Sequence, residues 1–342
     1  MEKVHVSLKD LAKELKISIS SVSRALKNHP DISPELAQKV QELARQKNYK
    51  PNPYAIRLLK HESKTIGIVI PDIVTYFYAS VISGIESYTK EKGYSIVISS
   101  SQESYQKEQN IIENLLNLRV DGLIVCLSQE TADYKHFDKI LEDNTPLVFF
   151  DRVCRTSEIS SVVADNFEAA RNVTRHFYEN GCTRIAFING PNHLNISKER
   201  LAGYIEGLKD CGLKISNDLL ASCNMTPEGA KVATQKLLAL KVKPDAILSI
   251  NDTVAFSAMK EVKRRGYKIP DDIAFVGFTD EFHASIVDPE LTSVMHPTFE
   301  MGQEAARLLI NQLESKTPGT PRQVVMKTTL VVRDSSIKKQ KK

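Results

Sequence analysis

Tryptophan is absent from the 342 residues, cysteine occurs only five times, and no long apolar run exists. The longest uninterrupted apolar stretches are of the length of Ile66-Gly67-Ile68-Val69-Ile70, against the roughly 20 residues a bilayer demands, so membrane spanning is excluded. Met1-Glu2-Lys3-Val4-His5 runs straight into charged amphipathic sequence without the apolar segment of a secretory signal, and a cytoplasmic location is expected. The cysteines (Cys126, Cys154, Cys182, Cys211, Cys223) are odd in number and at least twelve positions apart. They read as reduced thiols, not as a disulfide framework or zinc site. The signatures G-x-G-x-x-G, G-x-x-x-x-G-K-[ST], G-x-S-x-G and H-E-x-x-H are also missing, which removes the commonest cofactor, phosphate and nucleophile motifs. No cofactor and no metal are expected.

What is present is an uneven charge. Residues 1–64 hold 13 Lys/Arg against 7 Asp/Glu, whereas residues 65–334 hold 29 against 35. A basic head on an acidic body is the footprint of a small module that meets a polyanion. The last eight residues, with Lys338, Lys339, Lys341 and Lys342, read as a disordered basic tail.

Residues 7–47 are helical in pattern. Ser7 can cap a helix with Leu8, Leu11, Ala12 and Leu15 on one face, and Ser18 a short helix with Val22, Ala25 and Leu26 inward. Ser33-Pro34-Glu35 is a cap with proline at the first helical position, opening a third helix. From Thr65 the texture changes to apolar strands alternating with amphipathic helices. Strands are expected at 66–70, 95–98, 122–126, 147–150, 161–163, 184–188, 246–250 and 273–276. Continuous Val/Ile runs mean burial on both faces, hence doubly wound parallel α/β sheets. About 270 residues of this kind suggest two subdomains. The expected division is 1–50 for the helical domain, 51–63 for a hinge and 64–334 for the core, whose first subdomain takes 64–163 and 295–323, its second 164–294 and 324–334.

The first two helices, joined through Lys16-Ile17-Ser18, have helix-turn-helix spacing. The second carries Ile19, Ser20, Ser21, Ser23 and Arg24 outward, small or hydrogen-bonding groups that let a helix enter a major groove. Arg24 offers a fork matching guanine O6 and N7, and Ser18 places a hydroxyl and free helix amides where a phosphate can sit.

Ser7-Leu8-Lys9-Asp10-Leu11-Ala12, the run Ile17 to Leu26, Ser33-Pro34-Glu35 and Asn48-Tyr49-Lys50-Pro51-Asn52 together resemble the signature of the LacI/GalR family of bacterial transcriptional regulators. The resemblance continues through Ile66 to Asp72, Asp121 to Ile124, Arg200 to Tyr204 and Asn251-Asp252. It implies a homodimer or higher assembly that binds pseudo-palindromic operator DNA near the bacterial nucleoid, under control of a small effector in a periplasmic-binding-protein-like core. Repression is the more frequent sign in that family. By the same similarity Ile19 and Ser20 vary with operator sequence, Arg24 contacts a base or phosphate, and Lys27 and Ser33 contact phosphate. Lys16 stands where the family usually has glycine, at a cost of about 1 kcal/mol for positive φ.

Asn52 to Leu59 is too short for an isolated stable helix. The resemblance implies a hinge that orders on DNA, with Asn52 in contact, Ala55 at the close approach of two copies and Leu58 wedged into the minor groove. The effector is expected at the carboxyl ends of parallel strands. Candidates there are Tyr76, Phe77, Ser128, Asp151, His193, Arg200, Asn251, Thr279 and Asp280. Aromatic platforms with Asp, Asn and Arg suit vicinal hydroxyls, so a sugar or sugar derivative is expected. Arg200 reads as opening a helix, where a cation opposes the dipole and asks for a partner. Thr279 departs from the family's usual Asp and leaves Asp280, one position later, as the nearest carboxylate. The competing reading is an α/β enzyme acting on sugars or nucleotides with an accessory helical module.

Overall fold

The computed structural model describes residues 6–49, 63–315 and 319–338. The chain divides into two compact units, residues 1–63 and 64–342. Asn52, Ala55 and Leu58 of the expected hinge lie outside the described residues.

The amino-terminal unit holds α1 (Leu8–Leu15), α2 (Ile19–Leu26) and α3 (Pro34–Gln46). Each starts where a serine can satisfy a free helix amide. Ser7 forms a capping box with Asp10, Ser18 accepts from the Ser21 amide, and Ser33 accepts from the Leu36 amide ahead of Pro34. Leu11, Ala12, Val22, Ala25, Ala37, Val40 and Ala44 make the buried centre. Lys16 ends α1 in the left-handed region at φ 54°, its amide bonding back to Ala12 and Lys13. The turn therefore needs the conformation that glycine adopts at no steric cost.

The second unit contains two six-stranded sheets. In the first lobe the order is β11 (Gln323–Met326), β5 (Ser160–Ala164), β4 (Leu147–Phe150), β3 (Gly122–Val125), β1 (Thr65–Ile70) and β2 (Ser95–Ser100). In the second it is β12 (Thr329–Val331), β10 (Thr292–Met295), β9 (Ala274–Thr279), β8 (Ala246–Ser249), β6 (Ile185–Asn189) and β7 (Leu220–Ser222). All pairings are parallel except that of β10 with β12. On one face of the first sheet Ile66, Ile68, Ile70, Ile124, Val148 and Phe150 pack with α4 (Tyr76–Glu91) and α11 (Thr298–Glu314). On the other, Val69, Leu123, Val125 and Phe149 pack with α5 (Tyr105–Asn117) and α6 (Asp138–Glu142). Alternate residues of one strand thus feed two cores, which is why these strands read as continuous apolar runs. α4 and α11 touch backbone to backbone: a Cβ on Gly84 would lie 2.0 Å from the Phe299 carbonyl oxygen.

The second lobe is built the same way around α7 (Asn166–Glu179), α8 (Asn195–Asp210), α9 (Pro227–Leu238) and α10 (Asp252–Arg264). The chain crosses between lobes at Asp165, at His296-Pro297 and at Lys327-Thr328. Asp165 Oδ1 ties the first and third crossings by accepting from the Thr328 amide at 3.0 Å and hydroxyl at 2.5 Å.

Two expected boundaries move. The third crossing falls after Met326 and not after 323, because β11 completes the first sheet beside β5. The tail does not begin at 335: Ser335 and Ser336 are fully buried. Ser335 Oγ donates to the Phe275 carbonyl at 2.7 Å, and Ser336 Oγ lies 2.7 Å from Thr292 Oγ1. Serines carry no apolar signal, so this anchoring was invisible to pattern.

Candidate functional site

On α2, Ile19, Ser20 and Arg24 are exposed, as are Lys27 just after it, Ser18 before it and Ser33 before α3. Ser21 and Ser23, expected outward, are half-buried. Ser18 Oγ lies 2.7 Å from Ser20 Oγ and 2.8 Å from Ser21 Oγ, so three hydroxyls cluster at the amino end of the helix. Arg24 has one loose ion-pair neighbour, Asp31 at 3.8 Å. In an exposed setting that contact contributes little, and the guanidinium is available to a nucleic acid.

In the second unit the carboxyl ends of strands from both sheets enclose a cavity of about 400 Å³. Of the expected residues, Phe77, Asp151, Arg200, Asn251 and Thr279 line it. Asp151 follows β4 at φ 56°, a strained conformation that concentrates at functional sites. Burial raises its carboxyl pKa, with Arg200 acting to lower it, and among the described residues no side-chain hydrogen bond engages that carboxylate. Asn251 caps α10 by accepting from the Val254 amide at 2.9 Å.

Arg200 is buried on every side. Its Nε donates to Asn166 Oδ1 at 2.8 Å, Nη1 to the Ile250 carbonyl, Nη2 to His296 Nε2 at 3.3 Å, and the guanidinium lies 4.2 Å from the Phe278 ring centre. Desolvation lowers its pKa to about 10. The helix-dipole reasoning fails here: α8 starts at Asn195, leaving Arg200 in its second turn, beyond the reach of the terminal charge. What asks for a partner is burial.

Four expected residues are not on the cavity wall. Tyr76 is the first residue of α4 and half exposed, and the aromatic pair is Phe77 with Tyr78, 5.1 Å apart and edge to face. Ser128 is fully buried behind the wall, bonded to Ser101 at 2.7 Å and to Glu108 at 2.6 Å, and Gln129 takes its place. His193 Nε2 donates to the Gln129 carbonyl at 2.6 Å. Asp280 is held by Arg333 at 2.6 Å and does not line the cavity.

Sequence reasoning missed Asp72, Gln102, Glu103, Arg152, Asn224, Asp252, Glu281 and His296, which all line the cavity. Gln102, Glu103 and Asn224 follow β2 and β7, so the rule of strand carboxyl ends covers them. Asp252 carries a pKa pushed to about 8 by burial, while accepting from Ser293 at 2.6 Å. Arg152 does not pair with Asp151. Its Nη1 lies 3.0 and 2.7 Å from the two oxygens of Glu103. His296, on the second crossing, had no local signal. Its Nδ1 donates to the Val294 carbonyl at 3.0 Å, leaving Nε2 as acceptor for Arg200, and burial beside that cation lowers its pKa to about 3.

A helix-turn-helix unit joined to a two-lobed core with a polar interlobe cavity defines a class: DNA-binding regulators governed by a small ligand. Residues 7–52 match the family described as bacterial regulatory proteins, lacI family, and residues 174–336 the periplasmic binding protein-like domain. The chain is 31% identical over 333 residues to the HTH-type transcriptional repressor CytR of Escherichia coli, covering 96% of each. It is 32% identical to the ribose operon repressor of Halalkalibacterium halodurans, covering 96% of this chain and 97% of that one. Among solved structures, the transcriptional regulator CelR in complex with cellobiose aligns with a TM-score of 0.75 at 27% identity, covering 97% of this chain and all of that one. The lac repressor dimer bound to operator and the anti-inducer ONPF shares the fold, with a TM-score of 0.82 at 24% identity over 97% of this chain and 99% of that one. The chain belongs to the LacI family of bacterial transcriptional regulators. Among the described residues no helix is long and apolar enough to cross a membrane.

Proposed function

We propose that the chain is a dimeric repressor whose cavity takes a neutral, hydroxyl-rich effector, a sugar or sugar derivative, and not a phosphorylated one. The observation that supports this is the charge of the wall. Asp72, Glu103, Asp151 and Glu281, beside an Asp252 that burial keeps largely protonated at neutral pH, face two arginines, and both arginines already have partners. Arg152 is neutralised by Glu103, and Arg200 commits three of its five N–H donors to Asn166, Ile250 and His296. The Asp151 carboxylate, without a hydrogen-bond partner among the described residues, then accepts from hydroxyls, and Phe77 and Tyr78 supply the apolar wall a sugar ring needs. The names of two relatives, a ribose operon repressor and a regulator bound to cellobiose, agree with a sugar.

Dimerisation is supported by exposed apolar groups in the first lobe: Ile73, Val74 and Tyr76, with Val97 and Ile98 on the edge strand β2. An unpaired edge with apolar side chains invites a partner, and a second copy fits a two-fold operator. DNA contact is assigned to Ser18, Ile19, Ser20, Arg24, Lys27 and Ser33. The test is an electrophoretic shift with DNA upstream of the gene, repeated with D-ribose, D-glucose, cellobiose and the phosphates of the first two. A neutral sugar that changes the shifted fraction is the expected result. A response confined to phosphates overturns the effector class.

A further inference from the structure

His193 and Asn195 do not line the cavity, yet they fasten its two walls together. Asn195 is the first residue of α8 in the second lobe. Its amide reaches the loop after β4 in the first lobe at both ends: Oδ1 accepts from the Val153 amide at 3.0 Å, and Nδ2 donates to the Asp151 carbonyl at 3.0 Å. His193, two residues earlier, donates to the carbonyl of Gln129 in the loop after β3. The two pinned loops carry Gln129, Asp151 and Arg152, three cavity residues.

Those loops carry a strained residue and two unsatisfied polar atoms. Asp151 has positive φ. Gln129 Oε1 and Arg152 Nε are buried without a hydrogen-bond partner among the described residues, an unfavourable state that a small loop movement relieves. Glu103 links them from below, its Oε2 accepting from the Gln129 amide at 2.7 Å and from Arg152 Nη1 at 2.7 Å. Within the first lobe the Asp151 amide also donates to the Val162 carbonyl at 2.9 Å and the Leu127 amide to the Arg152 carbonyl at 3.3 Å, and the second lobe adds the bonds from His193 and Asn195. From this geometry we infer that Asn195, assisted by His193, is an interlobe latch: a positioning residue that closes the cleft and sets Asp151, Arg152 and Gln129 for the effector without touching it. A side-chain amide suits the task because it offers one acceptor and one donor to the backbone it bridges. Pre-set groups bind more tightly because less ordering remains for the ligand to impose.

The test has two arms on the full-length protein with Asn195→Ala and His193→Ala. In the first, amide hydrogen exchange at Val153 is followed without ligand. Asn195→Ala should speed it about tenfold or more, because that amide loses the acceptor it has among the described residues, whereas His193→Ala should move it less. The second arm is calorimetric titration with whichever of D-ribose, D-glucose or cellobiose binds the parent. Here both variants should lose about tenfold in affinity, the scale of one hydrogen bond, with the melting temperature of the unliganded protein little changed. The affinity arm rests on the neutral-sugar reading above; the exchange arm does not. Unchanged Val153 exchange overturns the latch. Faster exchange with unchanged affinity shows a contact that does not set the effector site, and overturns the positioning role. Lost affinity with unchanged exchange assigns Asn195 to direct effector contact, which also overturns it. If no sugar binds the parent, the effector reading fails, and the exchange result alone decides whether the latch exists.

Discussion

Arg200 and His296 meet at 3.3 Å with their roles fixed: the Nδ1–H of His296 is committed to the Val294 carbonyl, so Nε2 can only accept, and Arg200 donates to it. His296 sits on a crossing between the lobes, and Asn166, which also receives Arg200, begins just after another. One cavity side chain is therefore bonded to two of the three connections about which the lobes would move.

A pair of substitutions separates effector sensing from DNA grip. Arg200→Ala should abolish the effector response and leave effector-free operator binding nearly intact if the effector is an inducer. It should also cost about 2–3 kcal/mol of stability, since Asn166 Oδ1 and the Ile250 carbonyl lose their donor. Leu58→Ala should do the reverse, weakening the operator complex by a few kcal/mol if that leucine unstacks a base step, with normal effector binding. Calorimetry and a shift assay on both variants check this. An Arg200→Ala protein that senses effector as the parent does, or a Leu58→Ala protein with undiminished DNA affinity, contradicts the two-site mechanism. With a corepressor, Arg200→Ala loses operator binding too, and the ligand titration decides.

Acid should weaken the core through His296. Its folded pKa, about 3, lies below the unfolded value of about 6.5. The stability it contributes is thus complete above pH 6.5 and is lost as pH falls toward 3, at up to about 1.4 kcal/mol per pH unit. His296→Gln keeps an acceptor for Arg200 but cannot titrate. Urea unfolding of parent and variant between pH 4.5 and 7.5 should show the shallower pH dependence in the variant, and equal slopes would refute the assignment.

Operator binding should depend on Arg24. Arg24→Ala is expected to cost about 1–3 kcal/mol and to relax discrimination at one base pair. For the parent, the logarithm of affinity should fall linearly with that of salt concentration. An Arg24→Ala complex as tight and as selective as the parent's removes Arg24 as a base reader.

The core should dimerise through the first-lobe edge. A chain lacking residues 1–60 should sediment as a dimer at micromolar concentration, and Val97→Lys with Val74→Glu should make it monomeric, because both apolar groups are exposed and a buried unpaired charge is costly. A dimer unmoved by both changes places the interface elsewhere.

What the sequence determined by itself is local. Ser7, Ser18 and Ser33 announced the three amino-terminal helices because a cap needs only its own next three residues. The continuous apolar runs at Ile66–Ile70 and Leu147–Phe150 announced two-sided burial. Asp151 and Asn251 were legible because they directly follow such strands. The tertiary structure decided everything that depends on which distant segments meet. It brought His296 onto Arg200, moved the cavity from Ser128 to Gln129, gave Asp280 to Arg333 and buried Ser335 and Ser336 against β9 and β10. These are contacts of polar side chains across as many as 96 positions. A polar side chain has no periodic signature, and its partner is set only once the lobes have folded and the crossings have fixed where each strand end lies.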